Sequence, residues 1–353
     1  MHIALFHDSI IPALKYGGTE RVVQWLVEDL LDLDPALKLT LICQKSPQGD
    51  RWRRCRRQSH QERLSICETA DYHSNRNTPV NFDLIHYFSP PPPTEQHKCI
   101  VTIGGNGKLG EEFHRNTVFV SRRHAENHSS TQFVYNGVRE NLYYSNSNES
   151  IRRDLIFLAK ASWKVKNLAG AIKIARLSKR RLIVLGSRDY PLHLQRLVSQ
   201  LLSHISGVIY YGGATNEEKA EIMSSAYGFL FPVRWHEPFG IAVIEAMASG
   251  LPVFATPYGS LPEIITPATG FLSDSSALLA KAINQNTYDR NYIRQYVCNT
   301  FSSRNTAAQY YKLYQTIITQ PETFSLNPIK PKCRQIGADA IPGLSSATLL
   351  PFN

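Results

Sequence analysis

Two glutamates, Glu237 and Glu245, stand eight positions apart in the stretch EPFGIAVIEAMASG, residues 237–250. The apolar residues on both sides of Glu245 predict a short helix that is buried over most of its surface. Because a buried carboxylate is costly unless it is paired or hydrogen-bonded, Glu245 is expected to meet a partner, and ligand hydroxyls can serve. The two carboxylates thus favour a hydroxyl-bearing ligand.

The proline and glycine that follow Glu237 place it in a loop just before this helix. We expect the helix to begin shortly after Glu237 and to end at Gly250. The first amides of a helix have no partner within it and lie at the positive end of its dipole, which favours an anion such as phosphate. These amides belong to Phe239, Gly240 and Ile241. The alternative is structural: one acid caps the helix and the other pairs with a neighbouring Lys or Arg.

Two lysines follow an earlier apolar run, DLIFLA, in the segment KASWKVKN. Lys160 and Lys166 then lie at the end of a predicted strand and the start of the next helix. In that position both can neutralise a diphosphate without a metal ion. The alternative is a pair of solvated lysines. No metal site is predicted.

A glycine pair, Gly17 and Gly18, follows the first apolar run in the segment HDSIIPALKYGGTER. Paired glycines let backbone amides approach an anion closely, and Thr19 is the expected helix N-cap. A tight structural turn is an equal alternative, because neither a GxGxxG nor a Walker A sequence accompanies the pair.

Apolar, β-branched runs alternate with segments of helical periodicity, which predicts parallel strands covered on both faces. The predicted strands are IALF, LTLIC, DLIHYF, CIVTI, TVFVS, FVYNG, DLIFLA, RLIVLG, GVIYYG, GFLFP and LPVFAT. We therefore predict an α/β protein with two Rossmann-like domains, residues 1–145 and 146–320, whose parallel sheets face a central cleft. Loops after the strands are expected to bind ligands there. The polar stretch 141–150 is the predicted hinge, and residues 321–353 are expected to form a flexible tail.

The net charge of +10 favours anionic partners, which include nucleic acid, an acidic membrane surface and phosphorylated small molecules. No nucleic-acid-binding motif accompanies this charge, so nucleic acid is not an expected partner. The basic run RWRRCRR at 51–57 is a candidate for peripheral contact with an anionic membrane surface, and a solvated loop is its alternative.

The six cysteines include no CxxC pair, which argues against a zinc site or a disulfide framework. The sequence IALF directly after Met1 is too short for the core of a signal peptide, and no apolar run approaches the length of a membrane span. A cytoplasmic location is expected.

Five segments together resemble the retaining glycosyltransferases of the GT-B fold, family four, also called group 1 glycosyltransferases. They are GGTERVV, FVYNGV, FLAKASWKVKN, GGATNEEKAEIMSSAYGFLFPVRWHEPFG and EPFGIAVIEAMASGLPV, in matching order and spacing. The resemblance implies that Glu237 binds hydroxyls of the donor sugar and that Glu245 holds the nucleotide ribose. It assigns Lys160, Lys166 and Gly18 to the donor diphosphate, with Lys160 in place of the more usual arginine, which keeps the charge without bidentate geometry.

One position departs from the family pattern. The segment VTIGGNG has Gly104 where the family usually carries a histidine that contacts the donor sugar near the reacting carbon. Because this histidine is absent, we expect either less than full activity or a different way of positioning the sugar. His86, in DLIHYF, is a candidate to reach the cleft instead, although a histidine near a strand end more often has a structural role.

The resemblance implies metal-independent, retaining transfer of a sugar from a nucleotide diphosphate donor to a hydroxyl of a glycan, lipid-linked or small-molecule acceptor in polysaccharide biosynthesis. No cofactor is implied besides the donor. In the family the leaving phosphate oxygen is thought to take the acceptor proton during front-face attack. The alternatives are a catalytically silent sugar-nucleotide-binding homologue, a sugar-nucleotide epimerase, or a phosphorylase with covalently bound pyridoxal phosphate.

Overall fold

The computed structural model describes the chain in two compact units. Unit 1 contains Met1–Gly137 and the described residues from 303 to 334, and unit 2 contains Val138–Ser302. The description leaves out residues 13–16, 45–59, 61, 75–80, 94, 96, 145–152, 187–206, 322–323 and 335–353. The basic run 51–57 and most of the predicted hinge therefore lie outside the described residues.

Strands and helices alternate along both units, as the apolar periodicity predicts. In unit 1 the chain forms β1 (His2–Ile10), α1 (Gly18–Leu33), β2 (Lys38–Gln44), β3 (Leu64–Glu68), α2 (Thr69–Ser74), β4 (Leu84–Tyr87), β5 (Cys99–Ile103), β6 (Thr117–Phe119) and α3 (Arg122–Asn127). In unit 2 it forms β7 (Leu155–Leu158), α4 (Leu168–Leu177), β8 (Leu182–Leu185), β9 (Val208–Gly212), α5 (Asn216–Ser224), β10 (Gly228–Phe231), α6 (Ile241–Ala248), β11 (Val253–Ala255), α7 (Leu261–Ile264), β12 (Gly270–Leu272), α8 (Ser276–Asn284) and α9 (Arg290–Thr300). The last described helix, α10 (Ser303–Thr319), returns to unit 1.

Each unit contains a six-stranded parallel sheet. The order is β3-β2-β1-β4-β5-β6 in unit 1 and β12-β11-β10-β7-β8-β9 in unit 2. If the strands of unit 2 are numbered from β7 and the sheet is read from the β9 edge, its order is the same as that of unit 1. Both are the doubly wound order of dinucleotide-binding folds. Ligands of such sheets bind beyond the carboxyl ends of the strands, where the strand order reverses. That point lies between β1 and β4 in unit 1 and between β7 and β10 in unit 2. The α/β class and two Rossmann-like sheets are confirmed.

Helix α10 completes the core of unit 1. It packs against α1, whose apolar face includes Val23 and Leu30, and it buries Tyr310 and Tyr314 among the strand residues. The chain therefore enters unit 2 at Val138 and leaves it after Ser302. These crossings differ from the predicted boundaries at 145 and 320, because α10 is sequence-distant from the sheet that it covers.

Two strands escaped the sequence prediction, and one predicted strand is absent. The missed strands, β3 and β12, each form one edge of their sheet and are partly exposed, so their apolar pattern is weak. The strands at the opposite edges, β6 and β9, were predicted. The predicted strand FVYNG instead contributes a single bridge, between Phe119 and Phe133.

Residues 324–334, the C-terminal strap, form hydrogen bonds with unit 1, which differs from the flexible tail predicted for this part of the chain. Residues 335–353 of the predicted tail lie outside the described residues. Asn327 donates its side-chain amide to the carbonyls of Arg115 and Thr117, at 2.7 and 3.0 Å. The strap also exchanges backbone hydrogen bonds with the Gly110–Phe113 segment through Pro331 and Cys333. The sequence signal failed here because the strap has no periodicity and is held through its polar groups.

His86 lies inside the sheet of unit 1 and does not reach a ligand site. Its ring is fully buried and lies 2.6 Å from the Tyr314 hydroxyl and 2.7 Å from the Thr102 hydroxyl. Burial lowers the pKa of His86 to about 3, so the ring is neutral in the folded protein at neutral pH. The structural interpretation of this histidine is therefore the correct one.

Over the part of the chain that the structure describes, no helix combines the length and the apolar character needed to cross a bilayer.

Replacing His86 with Gln should reduce the acid sensitivity of unfolding. Because the pKa of His86 is about 3 when folded and near 6.5 when unfolded, the unfolded chain takes up the proton first as the pH falls. Above pH ~6.5 the ionisation of His86 does not affect stability. Between pH ~6.5 and ~3 it lowers the free energy of unfolding by about 1.4 kcal/mol for each unit of decrease in pH. Urea unfolding at several pH values should show that loss in the wild type and a shallower one in His86→Gln. His97→Gln, which changes a side chain 45% exposed, is the control, and equal pH dependence in His86→Gln and wild type contradicts the assignment.

Candidate active site

The candidate site of unit 2 lies at the strand-order reversal of its sheet. The loop after β7 carries Lys160 and Lys166, and the loop after β10 carries Glu237. Because β7 and β10 are adjacent and parallel, their carboxyl ends bring the two loops together. The sequence thus places three of its predicted site residues where a doubly wound sheet binds ligands.

Glu237 is buried, and two donors fix its carboxylate. Lys166 Nζ lies 2.7 Å and Trp235 Nε1 lies 2.6 Å from the same oxygen, Oε2. The exposed fractions of the Lys166 and Glu237 side chains are 12% and 8%, so this ion pair is largely shielded from water. No hydrogen bond to the other oxygen, Oε1, occurs among the described residues. The arrangement orients Glu237 and leaves an acceptor for a further donor such as a hydroxyl.

The backbone around Glu237 is held by glycines in the left-handed region. Gly240, with a φ of 92°, is the N-cap of α6, so the helix begins at Ile241, as expected from the sequence. Gly259, with a φ of 65°, lies so close that an added Cβ would be 2.3 Å from both the amide nitrogen and the carbonyl oxygen of Glu237. The next residue, Ser260, donates its amide to the Glu237 carbonyl at 2.9 Å. Only glycine fits at 259.

The first turn of α6 faces the same loop. Phe239 is buried and accepts a hydrogen bond from the Ser260 hydroxyl at 2.8 Å, which fixes the approach to the helix. The amides of a first helical turn have no partner within the helix. The role of the Phe239, Gly240 and Ile241 amides at an anion stays a prediction. Gly250, with a φ of 74°, follows the end of the helix.

Glu245 occupies an enclosed position on α6. Its side chain is fully buried, and its Oε1 accepts hydrogen bonds from Lys219 Nζ and from the Tyr143 hydroxyl, both at 2.7 Å. The expected partner of this carboxylate is thus protein: a buried lysine on α5 and a tyrosine that follows the crossing into unit 2. Both groups bind Oε1, whereas the buried Oε2 accepts no hydrogen bond from the described residues. The contact with a ribose hydroxyl stays a prediction.

The two lysines predicted to act together have different surroundings. Lys166 pairs with Glu237, and its ammonium lies 4.5 Å from the centre of the Trp235 ring. Lys160 is exposed, and its ammonium lies 5.3 Å from the centre of the Trp163 ring. Lys160 is accordingly the more available cation, whereas Lys166 is already paired with the Glu237 carboxylate. The joint role of the two lysines at a diphosphate stays a prediction.

In unit 1 the glycine pair stands at the start of α1. Gly17 is its N-cap and Gly18 its first residue, so the expected N-cap Thr19 is instead inside the first turn. The loop after β5 is close by, because a Cβ added to Gly104 would lie 3.9 Å from the Thr19 hydroxyl. Among the described residues, apart from the two chain neighbours of Gly104, no other heavy atom lies within 4 Å of that Cβ position. A side chain at 104 therefore has room.

The loop that contains Gly104 is supported by two buried histidines. His124 Nε2 lies 3.1 Å from the Gly105 carbonyl oxygen, and the Gly107 amide donates to His128 Nε2 at 3.3 Å. Burial lowers the pKa of His124 to about 3, so its ring is neutral. This support fixes the loop although the family histidine is absent from it.

Sequence reasoning missed four residues that hold the site: Trp235, Gly259, Lys219 and Tyr143. Trp235 stands two positions before Glu237, which is a usable signal. The others lie on separate elements, and only the folded structure brings them to their partners. No group of three or more His, Cys, Asp or Glu side chains suited to a metal ion occurs within the described ranges.

The chain is similar in sequence to known glycosyltransferases. Residues 145–300 match the family profile described as "Glycosyl transferases group 1". The O-antigen chain mannosyltransferase RfbU of Salmonella typhimurium is 32% identical over 137 residues, which cover 38% of this chain and 37% of that protein. A GDP-mannose-dependent monoacylated alpha-(1-6)-phosphatidylinositol monomannoside mannosyltransferase of Corynebacterium glutamicum is 30% identical over 109 residues, 29% of this chain and 28% of that protein. The matched segments thus span less than half the length of these curated relatives.

The fold also has solved counterparts. A glycosyltransferase involved in avilamycin A biosynthesis superposes with a TM-score of 0.69 at 19% identity, over 91% of this chain and 98% of that one. Such identity shows a shared fold alone. The predicted GT-B fold is confirmed, and so is the resemblance to the group 1 glycosyltransferases.

Replacing Lys219 with Met should destabilise the protein by about 3 kcal/mol or more, because Glu245 is left as an uncompensated buried charge. The double variant Lys219→Met/Glu245→Leu should recover much of this loss, since it removes both charges. Urea unfolding gives the free energies. Lys281→Met, which changes an exposed lysine on α8, is the control, and equal losses in the single and double variants contradict the interpretation.

Replacing Gly259 with Ala should lower the free energy of unfolding by at least about 1 kcal/mol, the usual cost of a left-handed non-glycine residue, with a further cost from displacing the Glu237 backbone. Gly213→Ala is the matched control. A Cβ added at 213 has no atom of the described residues within 4 Å, apart from those of its two chain neighbours. Thermal unfolding of both variants makes the comparison. A Gly259→Ala protein as stable as Gly213→Ala refutes the close approach.

Proposed function

We propose that this chain, whose residues 145–300 match the profile of the group 1 glycosyltransferases, moves a sugar from a nucleotide diphosphate donor to an acceptor hydroxyl with retention of configuration. The observation that carries the proposal is the fixed, buried Glu237 beside the first turn of α6. The similarity to an O-antigen chain mannosyltransferase and to a phosphatidylinositol monomannoside mannosyltransferase supports a glycan or lipid-linked acceptor.

Glu237 binds hydroxyls of the donor sugar. Lys166 and Trp235 both hold Oε2, so the carboxylate has one orientation and Oε1 accepts from the sugar. A carboxylate acceptor roughly doubles the strength of a hydrogen bond relative to a neutral one, and its rigid mounting limits the cost of ordering it on binding. The sugar is therefore positioned through its hydroxyls and not through its reacting carbon.

The diphosphate of the donor lies at the start of α6. The free amides of Gly240 and Ile241 and the positive end of the helix dipole suit an anion. Lys160 is exposed and supplies a cation, and Lys166 contributes charge from its place beside Glu237.

Departure of the nucleoside diphosphate is the step that these groups assist. As the bond between the sugar carbon and the phosphate oxygen breaks, negative charge grows on that oxygen, and the lysines and amides stabilise it. The acceptor hydroxyl attacks from the same face and transfers its proton to the leaving phosphate oxygen. Lysines and amides here take the part that a divalent cation plays in metal-dependent transferases.

Glu245 contributes through its protein contacts and, on donor binding, through the ribose. The Tyr143 hydroxyl already donates to Oε1 at 2.7 Å. A ribose hydroxyl that replaced it would make the same hydrogen bond to Oε1, so the exchange leaves the number of hydrogen bonds to that oxygen unchanged. Lys219 keeps the ion pair throughout.

Replacing Glu237 with Gln should reduce nucleoside diphosphate release by about 100-fold or more, because one oriented charged acceptor at the sugar is lost. Purified protein is tested with a panel of nucleotide sugars and candidate acceptor extracts, reading thermal shift and nucleoside diphosphate release together. Glu217→Gln, which changes an exposed glutamate in the first turn of α5, is the matched control and should retain wild-type release.

The response of wild type to the panel decides between activity and binding alone. Stabilisation by a donor without release would point to a silent sugar-nucleotide binder, and Gly104→His would then be expected to restore release. No response to any nucleotide sugar overturns the proposal.

A further inference from the structure

A cavity with basic walls lies at the edge of the unit 1 sheet where its strands begin. It measures about 270 Å³ and lies where β5 and β6 begin and α10 ends. It is lined by His97, Lys98, Cys99, His114, Arg115, Asn116, Ile317, Pro321, Phe324, Ser325 and Lys330. The five residues of β5 separate it from the Gly104 loop by roughly 16 Å, at ~3.3 Å per residue. The cavity is therefore distinct from the ligand edge of its own sheet.

Positive charge in this cavity is not balanced by its walls. Lys98, Arg115 and Lys330 are cationic, and the lining includes no aspartate or glutamate. Glu95, outside the lining, pairs with His97 at 2.7 Å, so the charges of Lys98, Arg115 and Lys330 are not balanced by that carboxylate. Within the described residues, neither the Arg115 guanidinium nor the Lys330 ammonium forms an ion pair. Clefts with one sign of charge concentrate ions of the opposite sign.

The hydrogen bonds around the cavity fix which donors face it. The Asn116 amide donates to His114 Nδ1 at 3.0 Å, so the neutral ring carries its proton on Nε2, the atom directed towards Cys99 in the cavity wall. Lys98 uses two of its three N–H groups on the carbonyls of Ile318 and Gln320, at 3.0 and 2.9 Å. One Lys98 N–H therefore remains to bind a ligand, and the His114 Nε2–H makes a long contact of 3.9 Å with the Cys99 sulfur that a phosphate oxygen can replace.

The wall is preorganised. Asn116 donates to the Cys99 carbonyl at 3.0 Å and accepts from the Leu326 amide at 2.9 Å, which ties the C-terminal strap to the start of both strands. Phe324 and Ile317 give the cavity an apolar side. A cavity with a fixed lysine, exposed positive charge and an apolar wall suits a small organic phosphate better than a bare ion.

We propose that this cavity is a binding site for a phosphate-bearing ligand, held by Arg115, Lys330, Lys98 and His114 and separate from the donor site. The phosphate can belong to a free small molecule or to a lipid headgroup. The Phe324 and Ile317 side chains contact the organic part in either case.

The position of His114 provides a local signal of occupancy. Burial and the neighbouring charge of Lys330 lower the pKa of His114. A bound phosphate offsets that charge and should raise the pKa of His114, which ¹³C-labelled histidine NMR can follow, with His114→Gln assigning the resonance.

The test titrates the full chain with inorganic pyrophosphate at constant ionic strength by calorimetry. Arg115→Gln/Lys330→Gln should bind at least tenfold more weakly at this site and lose the His114 shift. The control Lys312→Gln/Lys332→Gln removes two exposed cations of unit 1 outside the cavity and should behave as wild type. Melting temperatures confirm that both variants fold.

A vesicle arm distinguishes the two sources of phosphate. Phosphatidylcholine vesicles with and without phosphatidylglycerol are sedimented with each protein. If Arg115→Gln/Lys330→Gln loses phosphatidylglycerol-dependent vesicle binding and the control variant keeps it, the ligand is a lipid headgroup. If Arg115→Gln/Lys330→Gln loses pyrophosphate binding but its vesicle binding is unchanged, the ligand is a free phosphate compound. Equal pyrophosphate and vesicle binding in the variant and wild type, with an unmoved His114 resonance, overturns the proposal.

Discussion

Two buried carboxylates, each neutralised by a lysine, set the geometry of the ligand edge in unit 2. Glu237 pairs with Lys166 and Glu245 pairs with Lys219, and each lysine reaches its carboxylate at 2.7 Å. A carboxylate shielded from water is tolerated only with a partner of opposite charge in good geometry. The loop after β7 must therefore reach the loop after β10, and α5 must lie against α6. These two pairs tie together the parts of the sheet that a donor would contact.

The same constraint explains how far the sequence could predict the site. The spacing of the two glutamates and the apolar residues between them placed α6 and its acids correctly. The motif after β7 also gave Lys166. The partner of Glu245 was beyond prediction from the sequence, because a lysine 26 positions away becomes its neighbour only after α5 packs. The close approach of Gly259 to Glu237 was hidden for the same reason.

The fold was predictable where burial is complete and not where it is partial. Every residue of central strands such as β4 and β10 is buried, so their sequences are mostly apolar. The edge strands β3 and β12 are partly exposed, and the C-terminal strap is held by polar groups. Neither leaves an apolar period in the sequence. The placement of α10 in unit 1 likewise depends on a long-range contact that no local pattern records.

That placement has a consequence for the order in which the protein folds. Unit 2 is one continuous run, Val138–Ser302, whereas the core of unit 1 needs Tyr310 and Tyr314 from α10. During synthesis, domains generally fold as their chain emerges, from the N-terminal end. Here the first sheet to be made lacks its covering helix until unit 2 has left the ribosome. Its apolar face stays open through the synthesis of some 165 residues, about 10–30 s at ~5–20 residues per second, a window in which chaperones can bind it.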